Sequence, residues 1–169
     1  NSGKNFSTPN VIIAGGVGSF EPRKFSIKEC EKFENKCIFY SIKDKSIFKG
    51  KTVSIFGGGD SALDWAVELS KNSKVNLIHR REDFRGAKST VDKVYEIEKK
   101  GKIELFTKYQ MTSVKGENKL ESIDIKSDGG ESKTLKTDFV LGFFGLIMQL
   151  GPIANWGLNI DKKTVEVDT

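Results

Sequence analysis

Three consecutive glycines, Gly57-Gly58-Gly59, run into Asp60-Ser61-Ala62 and give the spacing Gly-x-Gly-x-x-Ala. In this spacing each small residue has a mechanical use. Gly57 allows a tight turn, Gly59 lets the backbone approach a pyrophosphate with no Cβ in the way, and Ala62 lets a helix pack closely on a strand. A helix opening at this point presents unpaired N–H groups at Asp60 and Ser61, together with the positive end of its dipole, to an anion. The plain structural alternative is a glycine-rich turn with Asp60 capping the helix.

About twenty residues further on, where a dinucleotide-binding unit places its ribose contact, stand His79, Arg80 and Arg81. Arg85 follows four residues after Arg81. A carboxylate here would hold the ribose hydroxyls of NAD(H) and repel a 2′-phosphate, whereas guanidinium groups form bidentate, charge-assisted bonds with that phosphate. The predicted coenzyme is therefore NADP(H). Two such bonds at ~1.5–3 kcal/mol each set a preference on the order of a hundredfold or more. Glu82 and Asp83 in the same run leave open a solvated, salt-bridged surface instead. His79 is the sole histidine and has no partner at readable spacing, so it is expected to pack on the adenine or ribose rather than act as a base. No catalytic residue and no metal ligand is predicted. Cys30 and Cys37, with six residues between them, form neither a C-x-x-C redox motif nor a zinc half-site.

These groups require elements to carry them. Residues 52–56 read as a strand, 61–70 as a helix with Ala62, Leu63, Ala66, Val67 and Leu69 toward the core, and 74–78 as a second strand. Such a βαβ unit implies a right-handed crossover and a parallel sheet. A further helix over about 90–100 stops at Gly101, ahead of a strand over 103–106. Segments 109–114, 120–125 and 132–135 are separated by Gly116-Glu117-Asn118 and Asp128-Gly129-Gly130, which predicts a three-stranded meander. The continuous apolar run over 139–144 reads as a strand buried on both faces that rejoins the parallel sheet. It leaves through Gly145 at the carboxyl edge shared with the two nucleotide loops, so Gly145 either lines the cofactor crevice or simply turns the chain.

Nearer the start, residues 11–14 read as a strand entering Gly15, Gly16 and Gly18. The spacing Gly16-x-Gly18-x-x-Glu21 imitates the fingerprint, but the third position is not small and no apolar-periodic helix follows, so it is expected to be a decoy. Residues 23–50 read as a polar connector with an extended segment near Phe39 and Tyr40, and 164–167 as a last short strand.

With 169 residues, 37% hydrophobic and 30% charged, 17 Gly and 3 Pro, the composition fits a soluble globular protein and neither a collagen-like nor a disordered chain. The longest apolar stretch, 139–150, is shorter than the ~20 residues a membrane span needs. A net charge of +5 suits a phosphorylated small molecule, nucleic acid or acidic lipid. The aromatics interleaved with lysines over 33–51 form no stacking motif, so neither nucleic acid nor membrane is an expected partner. The start at Asn1 has no Met and no basic-then-apolar leader, which suggests a cytoplasmic location and a piece of a longer chain.

The pair Gly57-Gly58-Gly59-Asp60-Ser61-Ala62-Leu63-Asp64 and His79-Arg80-Arg81-Glu82-Asp83-Phe84-Arg85 resembles the NADPH-binding domain of the thioredoxin reductase family. Within it, Gly18-Ser19-Phe20-Glu21-Pro22-Arg23, Tyr40-Ser41-Ile42-Lys43-Asp44-Lys45, and Phe143-Phe144-Gly145-Leu146 with Leu150-Gly151-Pro152-Ile153 are similar to the thioredoxin-reductase-like ferredoxin–NADP reductases. The resemblance covers nearly the whole chain. It implies an α/β fold, a Rossmann-like parallel sheet with an antiparallel three-stranded meander, flanked by pieces of an FAD-domain hinge. Residues 1–50 would be FAD-domain edge and connector, 51–160 the NADPH-binding domain, and 161–169 the return segment.

By the same resemblance, Gly57, Gly58, Gly59, Asp60, Ser61 and Ala62 match the pyrophosphate loop, and Arg80, Arg81 and Arg85 the 2′-phosphate pocket. It implies hydride transfer from NADPH to flavin, with ferredoxin or a thioredoxin-like protein as acceptor. FAD would be held by the full-length protein, a homodimer, but not by this piece, which alone would be inactive. Two departures stand out. Cys37-Ile38-Phe39-Tyr40 occupies the region of the family's dithiol, so direct dithiol chemistry is not expected, and Ile147-Met148 replaces the more usual polar and proline residues of its loop. A disulfide reductase module remains the alternative within enzymes, and a non-catalytic NADP-sensing domain the alternative outside them.

Overall fold

The computed structural model describes residues 3–14, 18–161 and 164–167. In chain order the elements are β1 (Ser19–Pro22), β2 (Ile38–Phe39), β3 (Thr52–Phe56), α1 (Asp60–Leu69), β4 (Lys74–His79), α2 (Lys88–Lys99) and β5 (Ile103–Thr107). There follow β6 (Tyr109–Lys115), β7 (Ser122–Ser127), β8 (Ser132–Lys136), β9 (Phe139–Gly142), β10 (Leu146–Gln149), β11 (Ile160–Asp161) and β12 (Thr164–Val165). The chain divides into two compact units, residues 22–145 and residues 1–21 with 146–169.

In the larger unit, five parallel strands lie in the order β2-β9-β3-β4-β5. Side chains alternate across this sheet. Val53, Ile55, Val75, Leu77, Ile103 and Leu141 pack with Ala62, Leu63, Ala66 and Leu69 of α1 and Val94 of α2. On the opposite face Ile38, Phe56, Ile78, Phe106 and Val140 pack with Val114, Ile123 and Ile125 of the antiparallel sheet β6-β7-β8. The parallel sheet is thus the middle of three layers, which is why the residues its strands bury are mostly apolar. Each fully buried Ile or Leu contributes about 1.5–3 kcal/mol.

Two polar residues interrupt that middle layer and satisfy each other. Asn76 Nδ2 donates to Ser54 Oγ at 3.1 Å, and Ser54 Oγ donates to Thr137 Oγ1 at 3.0 Å. The outer sheet is tied from its other side by Asp124, whose carboxylate accepts Ser113 Oγ at 2.7 Å and Thr134 Oγ1 at 2.6 Å and pairs with Lys115 at 2.7 Å.

Three expectations are corrected. The supposed connector is part of the core: a 3₁₀ turn over Lys28–Phe33 buries Cys30 and Phe33, and β2 adds an edge strand beside β9. Its apolar residues follow no local period, so only long-range contacts order it. Residues 11–14 form no strand, and Val11 and Ile12 are 66% and 92% exposed. β-branched residues make a strand only where a partner and a packing face exist. Finally, the buried strand expected over 139–144 ends at Gly142; the Phe143 N–H still donates to the Phe56 carbonyl at 2.8 Å, and the chain then turns at Gly145 with φ +86.

The smaller unit holds two ribbons, β1 with β10 and β11 antiparallel to β12. The strand expected over 164–167 is limited to Thr164–Val165. Gly18 has φ +81, and a Cβ on it would stand 1.9 Å from the Gln149 carbonyl oxygen, so this glycine serves a close backbone approach. Gly15 and Gly16 of the decoy lie outside the described residues.

Candidate nucleotide site

The chain leaves β3 for β4 on one side, while β9 arrives on the other. Such a reversal opens a crevice at the carboxyl ends of the strands, where open α/β sheets bind ligands. A cleft of about 470 Å³ lies there, lined by Gly57, Gly58, Gly59, His79, Arg80 and Gly145 among others. Typical small-molecule sites span about 300–1,000 Å³.

Each glycine of the loop has its own constraint. Gly57 has φ +154, and a Cβ on it would come within 2.7 Å of both the Ala62 Cβ and the Phe143 carbonyl oxygen. Glycine and alanine together therefore let α1 start tight against β3. Gly59 is the N-cap of α1, at φ −99 and ψ 179, with no heavy atom within 4 Å of the place a Cβ would take. That open face leaves room for a ligand against the backbone. The Ala62 and Leu63 N–H groups donate to the Gly59 carbonyl at 3.0 and 3.2 Å, whereas those of Asp60 and Ser61 find no acceptor among the described residues. Asp60 is the first residue of α1 rather than its cap, and its Oδ1 accepts the Ala87 N–H at 2.7 Å.

The second loop follows β4. His79, its last residue, is only 8% exposed. Its Nε2 donates to the Asp83 carbonyl at 3.1 Å, and its ring stacks on Phe84 with centroids 5.2 Å apart. Burial pushes its pKa down, and the charges of Arg80 and Arg85 push the same way, with the Asp83 carbonyl opposing them. The imidazole is therefore neutral at pH 7.

Arg80, Arg81 and Arg85 are exposed, and none is in an ion pair among the described residues. Glu82 instead pairs with Lys108 at 2.7 Å. The Arg85 N–H donates to the Gly58 carbonyl at 2.7 Å, so the two loops share a backbone bond. Arg80 belongs to the cleft wall, while Arg81 and Arg85 sit on the loop beside it, and Asp60, Ser61 and Ala62 continue into α1.

Gly145 lies at φ +86 with its carbonyl accepting the Arg23 N–H at 3.0 Å. That bond brings in a wall the sequence did not announce. Arg23, Lys24 and Phe25 line the cleft, as do Tyr109, Gln110 and Met111. Phe25 packs edge-on against Phe56 and Phe144, with centroids 5.2 and 4.8 Å away. The basic pair Arg23-Lys24 was the only local hint.

Comparison with known proteins then decides the family. The family model of pyridine nucleotide-disulphide oxidoreductases matches residues 1–169. The chain belongs to the pyridine nucleotide-disulphide oxidoreductase family. Among curated relatives, the ferredoxin–NADP reductase of Pelagibacter ubique (strain HTCC1062) is 68% identical over 169 residues, covering 100% of this chain and 50% of the relative. Ferredoxin–NADP reductase 1 of Christiangramia forsetii is 49% identical, covering 98% of this chain and 48% of the relative. Among solved structures, T. acidophilum thioredoxin reductase superposes with a TM-score of 0.78 at 25% identity, over 90% of this chain and 50% of that one. The chain spans about half the length of the curated relatives it matches. The α/β class with its parallel sheet and three-stranded meander is the one found, and the thioredoxin reductase resemblance holds.

The chain's two cysteines are free thiols. Cys30 is buried, and burial, with Glu29 and Glu34 adding to it, pushes its pKa up to about 11. Among the described residues no group of three or more His, Cys, Asp or Glu side chains is placed to hold a metal, and no helix is long and apolar enough to cross a membrane.

Proposed function

We propose that this chain is the NADPH-binding module of an FAD-dependent oxidoreductase that passes hydride from NADPH to flavin, with ferredoxin as the acceptor of the whole protein. One observation carries the reading: N–H groups at the start of α1 and three arginines, which have no acceptor and no ion-pair partner among the described residues, stand at neighbouring strand ends, joined by the Arg85–Gly58 backbone bond. The open face of Gly59 suits a pyrophosphate, and the arginines suit a 2′-phosphate.

In this reading Gly57, Gly58, Gly59, Asp60, Ser61 and Ala62 form the pyrophosphate cradle and the helix start behind it. Arg80, Arg81 and Arg85 bind the 2′-phosphate, neutral His79 holds their loop at the adenosine side, and Gly145 lines the crevice. These residues would hold NADPH, which would supply a hydride to the flavin of the whole protein. The chain's own residues bind, orient and neutralise charge; none forms a covalent bond or moves a proton.

FAD belongs to the remaining half of the protein in this account. Residues 1–21 serve as an edge of that flavin domain, 22–50 as a segment built into the core beside the nucleotide domain of 51–160, and 161–169 as the return segment. The full-length protein is a cytoplasmic homodimer with neither nucleic acid nor membrane as partner. The ferredoxin–NADP reductase relatives support the choice of acceptor.

The likeness to thioredoxin reductase favours a second reading, a disulfide reductase module. Against it, the Cys30 thiol is buried and held protonated, which suits a core side chain better than a nucleophile. Calorimetric titration of the intact protein with NADP⁺, NAD⁺ and a short oligonucleotide tests the coenzyme. NADP⁺ should bind on the order of a hundredfold tighter than NAD⁺. Equal affinities, or salt-tolerant oligonucleotide binding without NADP⁺ binding, would reject it. Ferredoxin reduction by the intact protein tests the acceptor. Turnover on a protein disulfide alone would select the second reading, and failure of NADPH to reduce any flavin would select an NADP-sensing domain.

A further inference from the structure

The carboxylate of Asp60 poses a problem for the site as described. It sits on the first residue of the helix whose N–H groups would receive a pyrophosphate, where a negative charge repels the incoming anion. Its position makes sense through what it touches. Asp60 Oδ1 accepts the N–H of Ala87, 2.7 Å away, and Ala87 is the N-cap of α2. The neighbouring Gly86 comes so close to α1 that a Cβ on it would stand 2.5 Å from Leu63 Cδ1 and 3.1 Å from Asp60 Oδ1. Residues 80–87, which carry all three arginines, are thereby anchored at His79 Nε2 on the Asp83 carbonyl, at the Arg85 N–H on the Gly58 carbonyl, and at Ala87 on Asp60. The third anchor is a charge-assisted bond, and it alone reaches the loop's far end.

We infer that the Asp60 side chain is a positioning residue for 2′-phosphate recognition: it clips the arginine loop to the first turn of α1, so that pyrophosphate and 2′-phosphate are met at one fixed separation. The inference rests on the NADP(H) reading above and deepens it. The separation of the two phosphate groups is set by the ligand's adenosine. A loop held in register therefore loses less freedom on binding than one that must be ordered each time. NAD(H) lacks the second phosphate and is indifferent to the clip.

The test is calorimetric titration of the intact protein and its variants with NADP⁺ and NAD⁺, alongside thermal unfolding. Loss of the Asp60 charge acts on both coenzymes through the shared pyrophosphate, so the readout is their ratio: Asp60→Ala removes the acceptor and should lower the preference for NADP⁺ over NAD⁺ about tenfold or more. Asp60→Asn keeps an acceptor oxygen without the charge and should retain the preference of the unaltered protein. Ala87 has φ −55, which proline adopts, so Ala87→Pro deletes the donor within a compatible backbone and should reproduce Asp60→Ala; it carries the test if that variant does not fold. Equal losses for both coenzymes, an Asn variant with as little preference as the Ala variant, or an Ala87→Pro variant with unchanged preference would each overturn the clip. If the unaltered protein itself shows no preference for NADP⁺, the coenzyme reading falls and the clip with it. If the preference exists and survives Asp60→Ala, only the clip falls.

Discussion

The imidazole of His79 rests on the Cα of Gly58: a Cβ there would stand 2.2 Å from the ring Cε1, 2.4 Å from Nδ1 and 2.5 Å from Nε2. The middle glycine of the loop after β3 and the last residue of β4 occupy one shared space. Gly58→Ala should therefore force the ring off its place and destabilise the fold by about 1–3 kcal/mol. Adding His79→Ala should recover part of that loss, a coupling between touching residues that a double-mutant cycle in denaturant unfolding measures. Strict additivity would mean that the ring moves aside at no cost.

The same burial sets a pH dependence. His79 has its pKa lowered from the ordinary 6.5, first by desolvation and then by the charges of Arg80 and Arg85. The unfolded chain thus takes up the proton more readily than the folded one. The stability tied to neutral His79 is complete above about pH 6.5 and is lost as pH falls through the lower folded value. His79→Gln, which keeps a neutral N–H donor, should flatten this acid limb in unfolding curves taken at pH 7.5 and pH 5. An unchanged limb would place the proton uptake elsewhere.

Gly59 separates folding from ligand capture. Its backbone angles suit any residue, and nothing lies within 4 Å of a Cβ added there, so Gly59→Ala should unfold within about 0.5 kcal/mol of the unaltered protein. The methyl would nonetheless stand where a pyrophosphate approaches. NADP⁺ and NAD⁺ should weaken together, since both carry that group; a variant that binds both normally would move the phosphate off this loop.

Arg80→Ala and Arg81→Ala should behave oppositely. Each is expected to weaken NADP⁺ by about 1.5–3 kcal/mol and NAD⁺ far less, because only NADP⁺ has the 2′-phosphate. Titration of both coenzymes reads the difference. Parallel losses would show that these guanidinium groups do not touch the extra phosphate.

Thiol labelling checks the cysteines. With its pKa near 11 and its side chain buried, Cys30 should resist iodoacetamide at pH 7.5 in the native protein and react on unfolding. Mass mapping of the labelled peptides reads the outcome. Rapid native labelling of Cys30 would reopen a redox role for this region.

Where sequence pattern was informative, the contacts are local. β3, the glycine loop, α1 and β4 form one unit in which the apolar period switches from two to 3.6 within a few residues, and the arginines follow β4 directly. The meander was legible for the same reason, because hairpin turns mark their own ends. The region over 23–50 was legible only in its extended segment near Phe39, where β2 lies. Cys30, Phe33, Ile38 and Phe48 are core residues at irregular spacing, and only pairing with β9 makes β2 a strand. Residues 11–14 show the converse, strand-like composition with no strand.

By itself the sequence determined the βαβ unit with its glycine loop, the parallel sheet with its meander, and the cationic loop after β4, since each is written in neighbours along the chain. Tertiary structure alone decided which residues wall the cleft, why Gly18 must be glycine, and that Asp60 serves Ala87 rather than its own helix. Those relations join positions 27 to 131 residues apart, and a local pattern holds no record of contacts made across such distances.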